Sequence, residues 1–484
     1  MVYEAQLLID GRSVTARREA TFSRSGPIGG GAATVASAAS VGDALAAANA
    51  AAAAFPSWST TPASERASIL EHAADLLESR QDEFAAVMAR ELGATPTWAG
   101  FNCSLGAAIL RDAATRTDCL GDTGGPAAGP AVTNLAVRQP AGVVLGIAPW
   151  NAPIVLSVRA VAVPLACANT VVLKASELCP KTHSLVAETL NDAGLPPGVL
   201  NLVSNAPDDA AEIIEALVAH AAVRRVSFTG STRVGRSVAE ICARHLKPCL
   251  LELSGKAPLL LLDDADIEAA ADAASYGAFF NQGQVCISTE RVIVDEAVAA
   301  DFVAQFATRA SALRAGDPSS GRHALGAMIG TEAANRVGTL VEDALAKGAT
   351  LVCGGQRDDA VMQPTIIDHV TSTMRLYHEE SFGPVAAVIR VAGVEEAIAV
   401  ANDSDYGLAA AVFGRDTARA LAVARRLETG IAHVNGPTVY DEPHMPFGGM
   451  KASGHGRFGG DSGVQAFTEL RWISLHRQAH DYPI

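Results

Sequence analysis

From residue 132 almost to the end of the chain, short apolar runs alternate with helical ones, and that alternation limits the fold more than any other property of this sequence. Residues 132–137 and 142–148 read as strands. A strand at 170–173 precedes a helix at 182–193; the pattern repeats at 199–203 and 208–220, then at 225–228 and 233–245. Such spacing implies a parallel sheet with helices on both faces, because each crossover must return the chain to the same end of the sheet. Beyond Glu252 the alternation resumes. Strands are expected at 259–262, 291–294, 386–390, 411–413 and 432–434, and helices at 267–280, 298–315 and 332–347. The fold class is therefore α/β, with a change of domain just after Glu252. A chain of 484 residues exceeds one compact core, and 49% hydrophobic against 18% charged residues rules against disorder.

The flanking segments differ. Residues 1–25 alternate as short edge strands, and 41–91 are helical, with an alanine-rich stretch at 44–54 that Pro56 interrupts and Pro62 restarts. Residues 121–129, rich in Gly and Pro, read as a loop. Residues 466–475, with Phe467, Leu470 and Trp472, read as an apolar strand in need of a partner, which another subunit could supply. The formal charge of −15 leaves no basic stripe for nucleic acid. No apolar run is long enough to span a membrane, and the N-terminus lacks the basic and apolar start of a signal peptide. The eight cysteines form neither a CxxC pair nor a Cys/His ligand spacing, so they read as reduced thiols of a cytoplasmic protein without a metal.

One of those cysteines stands apart. Asn281-Gln282-Gly283-Gln284-Val285-Cys286 places it after a polar, glycine-containing turn, and Leu251-Glu252-Leu253-Ser254-Gly255-Lys256 sets a glutamate in an apolar run. A thiol that can ionise and a carboxylate that can act as base are the two parts of covalent carbonyl oxidation. Five further segments accompany them: Ala148-Pro149-Trp150-Asn151, Lys174-Ala175-Ser176-Glu177, Phe228-Thr229-Gly230-Ser231-Thr232-Arg233-Val234-Gly235, Glu379-Glu380-Ser381-Phe382-Gly383-Pro384 and Pro446-Phe447-Gly448-Gly449-Met450-Lys451. Each has an ordinary reading alone, as a turn asparagine, a solvated ion pair or a glycine turn. The third is not the GxGxxG dinucleotide pattern.

In this order and number the segments resemble the aldehyde dehydrogenase superfamily along nearly the whole chain. The resemblance implies a Rossmann-like NAD-binding domain (1–121 and 141–252), an α/β catalytic domain (253–453) and small β oligomerisation segments (122–140 and 454–484). It implies Cys286 as nucleophile, Glu252 as the base that activates water, and Asn151 as donor to the oxyanion beside the Cys286 N–H. For the cofactor it implies Lys174 and Glu177 at the adenosine ribose, Gly230, Ser231 and Gly235 near the pyrophosphate, Glu380 at the nicotinamide ribose, and Trp150, Leu253 and Phe382 nearby. A carboxylate at Glu177 accepts a 2′-hydroxyl and repels a 2′-phosphate, so NAD is expected over NADP. Ser254 stands where the family usually has glycine. Family members that transfer to coenzyme A generally lack the Glu252 carboxylate, so hydrolysis to the free acid is expected.

For the substrate, Trp98, Arg159, Val285, Ile287, Tyr440 and Phe447 are the expected pocket, and a flat apolar wall with an arginine suits a ring bearing an oxygen substituent. The Trp98-Ala99-Gly100-Phe101-Asn102 segment together with Arg159 resembles the branch that oxidises salicylaldehyde, vanillin and benzaldehyde. A succinate-semialdehyde or general aliphatic enzyme is the alternative, with Arg159 then serving a distal carboxylate. A non-catalytic binding protein on this scaffold is the remote one. The family forms homodimers and homotetramers.

Overall fold

Strands Val143–Ile147, Thr170–Lys174, Leu200–Val203, Val223–Thr229 and Cys249–Glu252 pair in parallel in the computed structural model, which describes residues 2–122, 132–479 and 482–484. Most of their residues are buried, as strands covered on both faces must be, which is why they read in sequence as continuous apolar runs. Their order is Cys249–Glu252, Val223–Thr229, Val143–Ile147, Thr170–Lys174, Leu200–Val203. Antiparallel edges complete eight strands: Leu7–Ile9 and Arg12–Val14 on one side, Gly454–His455 on the other. Residues 454–455, grouped in sequence with the assembly segments, thus extend this first sheet. The crossover helix Pro153–Ala166 is buried at every residue.

The chain leaves the first sheet at Glu252 and enters the second at Ala257–Leu261. Seven strands form it, in the order Thr350–Cys353, Thr365–Asp368, Val385–Val391, Thr289–Asp295, Ala257–Leu261, Ala409–Phe413, Ile431–Val434. All pair in parallel except the first, an antiparallel edge.

A third, three-stranded sheet joins Gly121–Asp122, Val132–Pro140 and Thr468–His476, with Trp472 opposite Ala136. Leu470, Trp472 and Leu475 are exposed on it. Residues 123–129 of the expected loop lie outside the described residues. The expected helical stretch 41–91 is three helices, Val41–Trp58, Ala63–Ser79 and Gln81–Leu92. Pro56 does not break the first of them: it sits in the last turn, where only one backbone bond is forfeited before the helix ends at Trp58. Among the described residues no helix is long and apolar enough to cross a membrane, and no cluster of three or more His, Cys, Asp or Glu gathers as metal ligands.

Candidate active site

After Val143–Ile147 the next two strands are added on one side; after Leu200–Val203 the chain crosses to the other. The loops following Ile147 and Thr229 therefore diverge, and a crevice opens between them at the carboxyl ends of the strands. A cavity of about 510 Å³ fills it, lined by Trp150, Asn151, Gly230, Ser231, Glu252, Leu253, Ser254, Cys286, Arg336, Glu380 and Phe382 among others. Ser231 caps the helix Thr232–Arg244, and Gly235 packs so closely that a Cβ there would lie 2.3 Å from Leu253. Lys174 and Glu177 lie at the end of the next strand, outside this cavity's lining. They form an ion pair, and Asn205 Nδ2 donates to Glu177 at 3.0 Å.

The loop that carries Cys286 is built against backbone preference. Asn281, Gln282 and Gly283 all take left-handed φ, at 49°, 55° and 68°. For the two non-glycine residues this costs about 1–2 kcal/mol each. Remote bonds hold the turn. Gln282 accepts from Gly326 N–H (2.9 Å) and donates to the Ala327 carbonyl (2.8 Å), and Gln284 accepts from Ile329 N–H (2.9 Å). At Gly283 a Cβ would lie 2.2 Å from the Gly383 carbonyl, so glycine is required by space as well as by φ.

Asn151 is buried and held from two sides. Its carbonyl accepts from Trp98 Nε1 (3.0 Å) and Asn281 Nδ2 (3.1 Å), while its own Nδ2 donates to the Gln284 carbonyl (3.2 Å) and keeps a second N–H. The Trp98 indole thus bonds the Asn151 carbonyl as well as stacking on Phe101, at 5.2 Å between ring centroids.

Glu252 ends its strand fully buried, and neither carboxylate oxygen makes a hydrogen bond of ordinary geometry. Burial raises its carboxyl to about 7, opposed by the adjacent Cys286 thiol and the Arg159 cation. Cys286 is enclosed by protein yet open to the cavity. Burial, then the Glu252 charge, push its thiol well above the usual range, so the pair holds the thiol protonated at rest. A buried carboxyl near neutrality touching a thiol is poised for proton transfer.

Across the crevice, Glu380 accepts from Gly255 N–H at 3.0 Å, and burial, then the neighbouring Glu290, raise it to about 7. Glu290 pairs with buried Lys256 at 2.6 Å and accepts from Ser381 N–H (2.7 Å) and Phe382 N–H (2.9 Å), fixing the whole loop. Phe382 meets Trp150 edge to face at 5.8 Å. Ser254 Oγ accepts from Thr232 N–H at 3.4 Å. These groups could hold a nicotinamide nucleotide: aromatic faces, a carboxylate with acceptor capacity for ribose hydroxyls, and a helix N-terminus for phosphate. At the far end, Asn205 Oδ1 is buried without a partner beside Glu177, an acceptor left for a ligand hydroxyl.

On the other side of Cys286 a second, narrow cavity runs outward. Trp98, Phe101, Val285, Ile287, Val439 and Phe447 line it, with Arg159, Tyr440 and Asp441. Arg159 is ion-paired to Asp441, and its guanidinium carbon lies 4.2 Å from the Phe447 ring centroid. Tyr440 is half-exposed, and its hydroxyl donates to Glu442.

Sequence reasoning missed Asp441, Glu290 and Arg336, whose guanidinium donates to the Glu380 and Ser381 carbonyls. It also missed His183, whose Nδ1 accepts from Ser176 N–H at 3.0 Å and whose pKa burial lowers to about 3. None of these stands in a segment with a local signature.

The sequence model of the Aldehyde dehydrogenase family matches residues 14–473. A vanillin dehydrogenase of Pseudomonas fluorescens is 55% identical over 481 residues, 99% of this chain and 100% of that protein. A salicylaldehyde dehydrogenase of Pseudomonas putida is 46% identical over 482 residues, 99% of this chain and 100% of that one. The crystal structure of a salicylaldehyde dehydrogenase from Pseudomonas putida G7, complexed with salicylaldehyde, superimposes with a TM-score of 0.98 at 45% identity and covers 100% of both chains. With the thiol, the carboxyl and the amide brought together at the crevice, and with this match from end to end, the chain belongs to the aldehyde dehydrogenase family.

Proposed function

We propose that the chain oxidises aromatic aldehydes of the salicylaldehyde, vanillin or benzaldehyde type to the carboxylic acids, using NAD and water. The observation that carries the substrate class is the narrow cavity at Cys286, whose walls are ring faces and branched apolar side chains. A flat ring fills such a slot at little conformational cost.

The contacts support the following roles. Glu252 takes the Cys286 proton, and the sulfur attacks the aldehyde carbon. The oxyanion is stabilised by the second Nδ2–H of Asn151 and the Cys286 N–H, donors fixed before reaction and worth a few kcal/mol. Bound in the larger cavity, NAD supplies the hydride acceptor. Loss of hydride leaves a thioester on Cys286. Glu252, its proton released to solvent, then takes a proton from water; hydroxide adds to the thioester, and collapse releases the acid and restores the sulfur. Trp150, Leu253, Glu380 and Phe382 orient the nicotinamide end, Gly230, Ser231 and Gly235 shape the approach of the pyrophosphate, and Lys174 and Glu177 receive the adenosine ribose. The fixed carboxylate of Glu177 supports NAD over NADP by repelling a 2′-phosphate.

The same reading assigns cofactor binding to 1–121 and 141–252, catalysis to 253–453 and assembly to 122–140 with 454–484. The exposed apolar face of Thr468–His476 supports a homodimer or homotetramer, and the eight free cysteines support a reducing, cytoplasmic setting. The test is reduced-nicotinamide formation with salicylaldehyde, vanillin, benzaldehyde, succinate semialdehyde and propanal, each with NAD and NADP. Ring aldehydes with NAD should be preferred, and Cys286→Ala should abolish turnover. A strong preference for propanal overturns the substrate assignment.

A further inference from the structure

We propose that Asp441 sets the charge of the substrate tunnel and so the class of aldehyde admitted: paired with Arg159, it closes the tunnel to aldehydes bearing an anionic group and leaves it open to uncharged rings. The inference rests on the aromatic-aldehyde reading and deepens it.

Among the described residues lining the narrow cavity outward of Cys286, Arg159 is the only permanent cation and Asp441 the only carboxylate. The two side chains are 7% and 9% exposed and form an ion pair. They come from elements 282 residues apart, the buried crossover helix and the loop that follows Ile431–Val434. Phe447 and Phe458 stack on the guanidinium, at 4.2 Å and 5.6 Å from ring centroid to carbon, and fix its plane. The acid next to Asp441 does not share the arginine: Glu442 accepts from the Tyr440 hydroxyl and faces His444.

Without Asp441 this arginine would be a receptor for carboxylate, since its planar fork matches that anion. With Asp441 in place, an incoming carboxylate must displace it. One of the two anions is then left without a partner where water is scarce, and that is strongly unfavourable. A protonated ring hydroxyl or a methoxy group is neutral and demands no such displacement. Selection at this wall is therefore by exclusion.

The test compares benzaldehyde, para-carboxybenzaldehyde and its methyl ester on the NAD-saturated full-length enzyme and on Asp441→Asn, which keeps the shape and removes the charge. The wild type should show kcat/KM for the acid at least about tenfold below that for the ester, and in Asp441→Asn the acid-to-ester ratio should rise at least about tenfold, chiefly through KM. Asp441→Ser repeats the measurement if the Asn variant does not fold. Equal use of acid and ester by the wild type overturns the proposal. So does a variant that gains equally on both, because Asp441 would then act only by filling space. Failure to oxidise any ring aldehyde refutes the aromatic reading instead, and the acid-to-ester ratio is then read on succinate semialdehyde and its methyl ester.

Discussion

Glu252→Gln should stabilise this protein at alkaline pH while stopping its turnover. Burial holds the Glu252 carboxyl at about 7 instead of the usual 4.5. Below pH 4.5 the folded and unfolded chains both carry the proton, and the residue adds no pH dependence. Between 4.5 and about 7 the unfolded chain ionises first, so the folded state binds more protons and stability falls as pH rises. Above 7 the full cost is present, about 3 kcal/mol at 1.36 kcal/mol per pH unit. Glutamine keeps the shape and never ionises. With about 2 cal/mol/K of unfolding entropy per residue, 484 residues shift by about 1 °C per kcal/mol, so the variant should melt about 3 °C above wild type at pH 8.5 and level with it near pH 4.5. Scanning calorimetry at matched rates on both proteins reads this difference. On the functional side, wild-type kcat/KM should rise with pH through about 7, and the variant should give at most one burst of reduced cofactor per site. A melting difference that is the same at both pH values, or a variant with full steady-state rate, refutes the reasoning.

Trp98→Phe keeps the ring stack but removes the donor to the Asn151 carbonyl, leaving only Asn281 to hold it. One lost hydrogen bond of about 1 kcal/mol predicts a roughly fivefold drop in kcat, and an unchanged kcat would separate Trp98 from the oxyanion site. Glu177→Ser should raise the NADP-to-NAD ratio of kcat/KM at least about tenfold; no change would mean that the carboxylate does not face the 2′ position. Ser254→Gly frees the Thr232 N–H and removes the side chain from the cavity wall. KM for NAD should move about two- to fivefold with kcat nearly constant, whereas a change confined to the aldehyde KM would place Ser254 on the substrate side.

Most of the candidate site was legible because it sits at the ends of strands. Lys174, Glu177, Glu252 and Ser231 lie where a sheet strand gives way to its loop, so a few adjacent residues carry both the element and the group. The α/β class was legible for a related reason: the parallel strands are buried on both faces and leave unbroken apolar runs. What could not be read are the groups defined by partners far along the chain. Asp441 matters through Arg159 and Glu290 through Lys256 and the 381–382 amides, and Trp98, expected only as a pocket wall, also bonds the Asn151 carbonyl. Alone each is an ordinary acid or an ordinary core aromatic. Pro56 shows the converse failure, where a strong local breaker falls in a final turn that tolerates it. The pairing of Val132–Pro140 with Thr468–His476 spans more than 300 positions, and no periodicity announces it.

The six residues that end at Cys286 are not a portable cassette. Their left-handed arch stays bent because Gln282 is fastened to 326–327 and Gln284 to Ile329, while Gly283 packs against the carbonyl of Gly383 too closely for a side chain. Grafted elsewhere without those anchors, the same letters would relax to ordinary backbone and lose the present direction of the sulfur. Anyone wishing to move this reactivity into another scaffold must carry three separated pieces of chain together. For the same reason, the alkylation rate of one thiol in the native protein reports whether three distant loops are still in register.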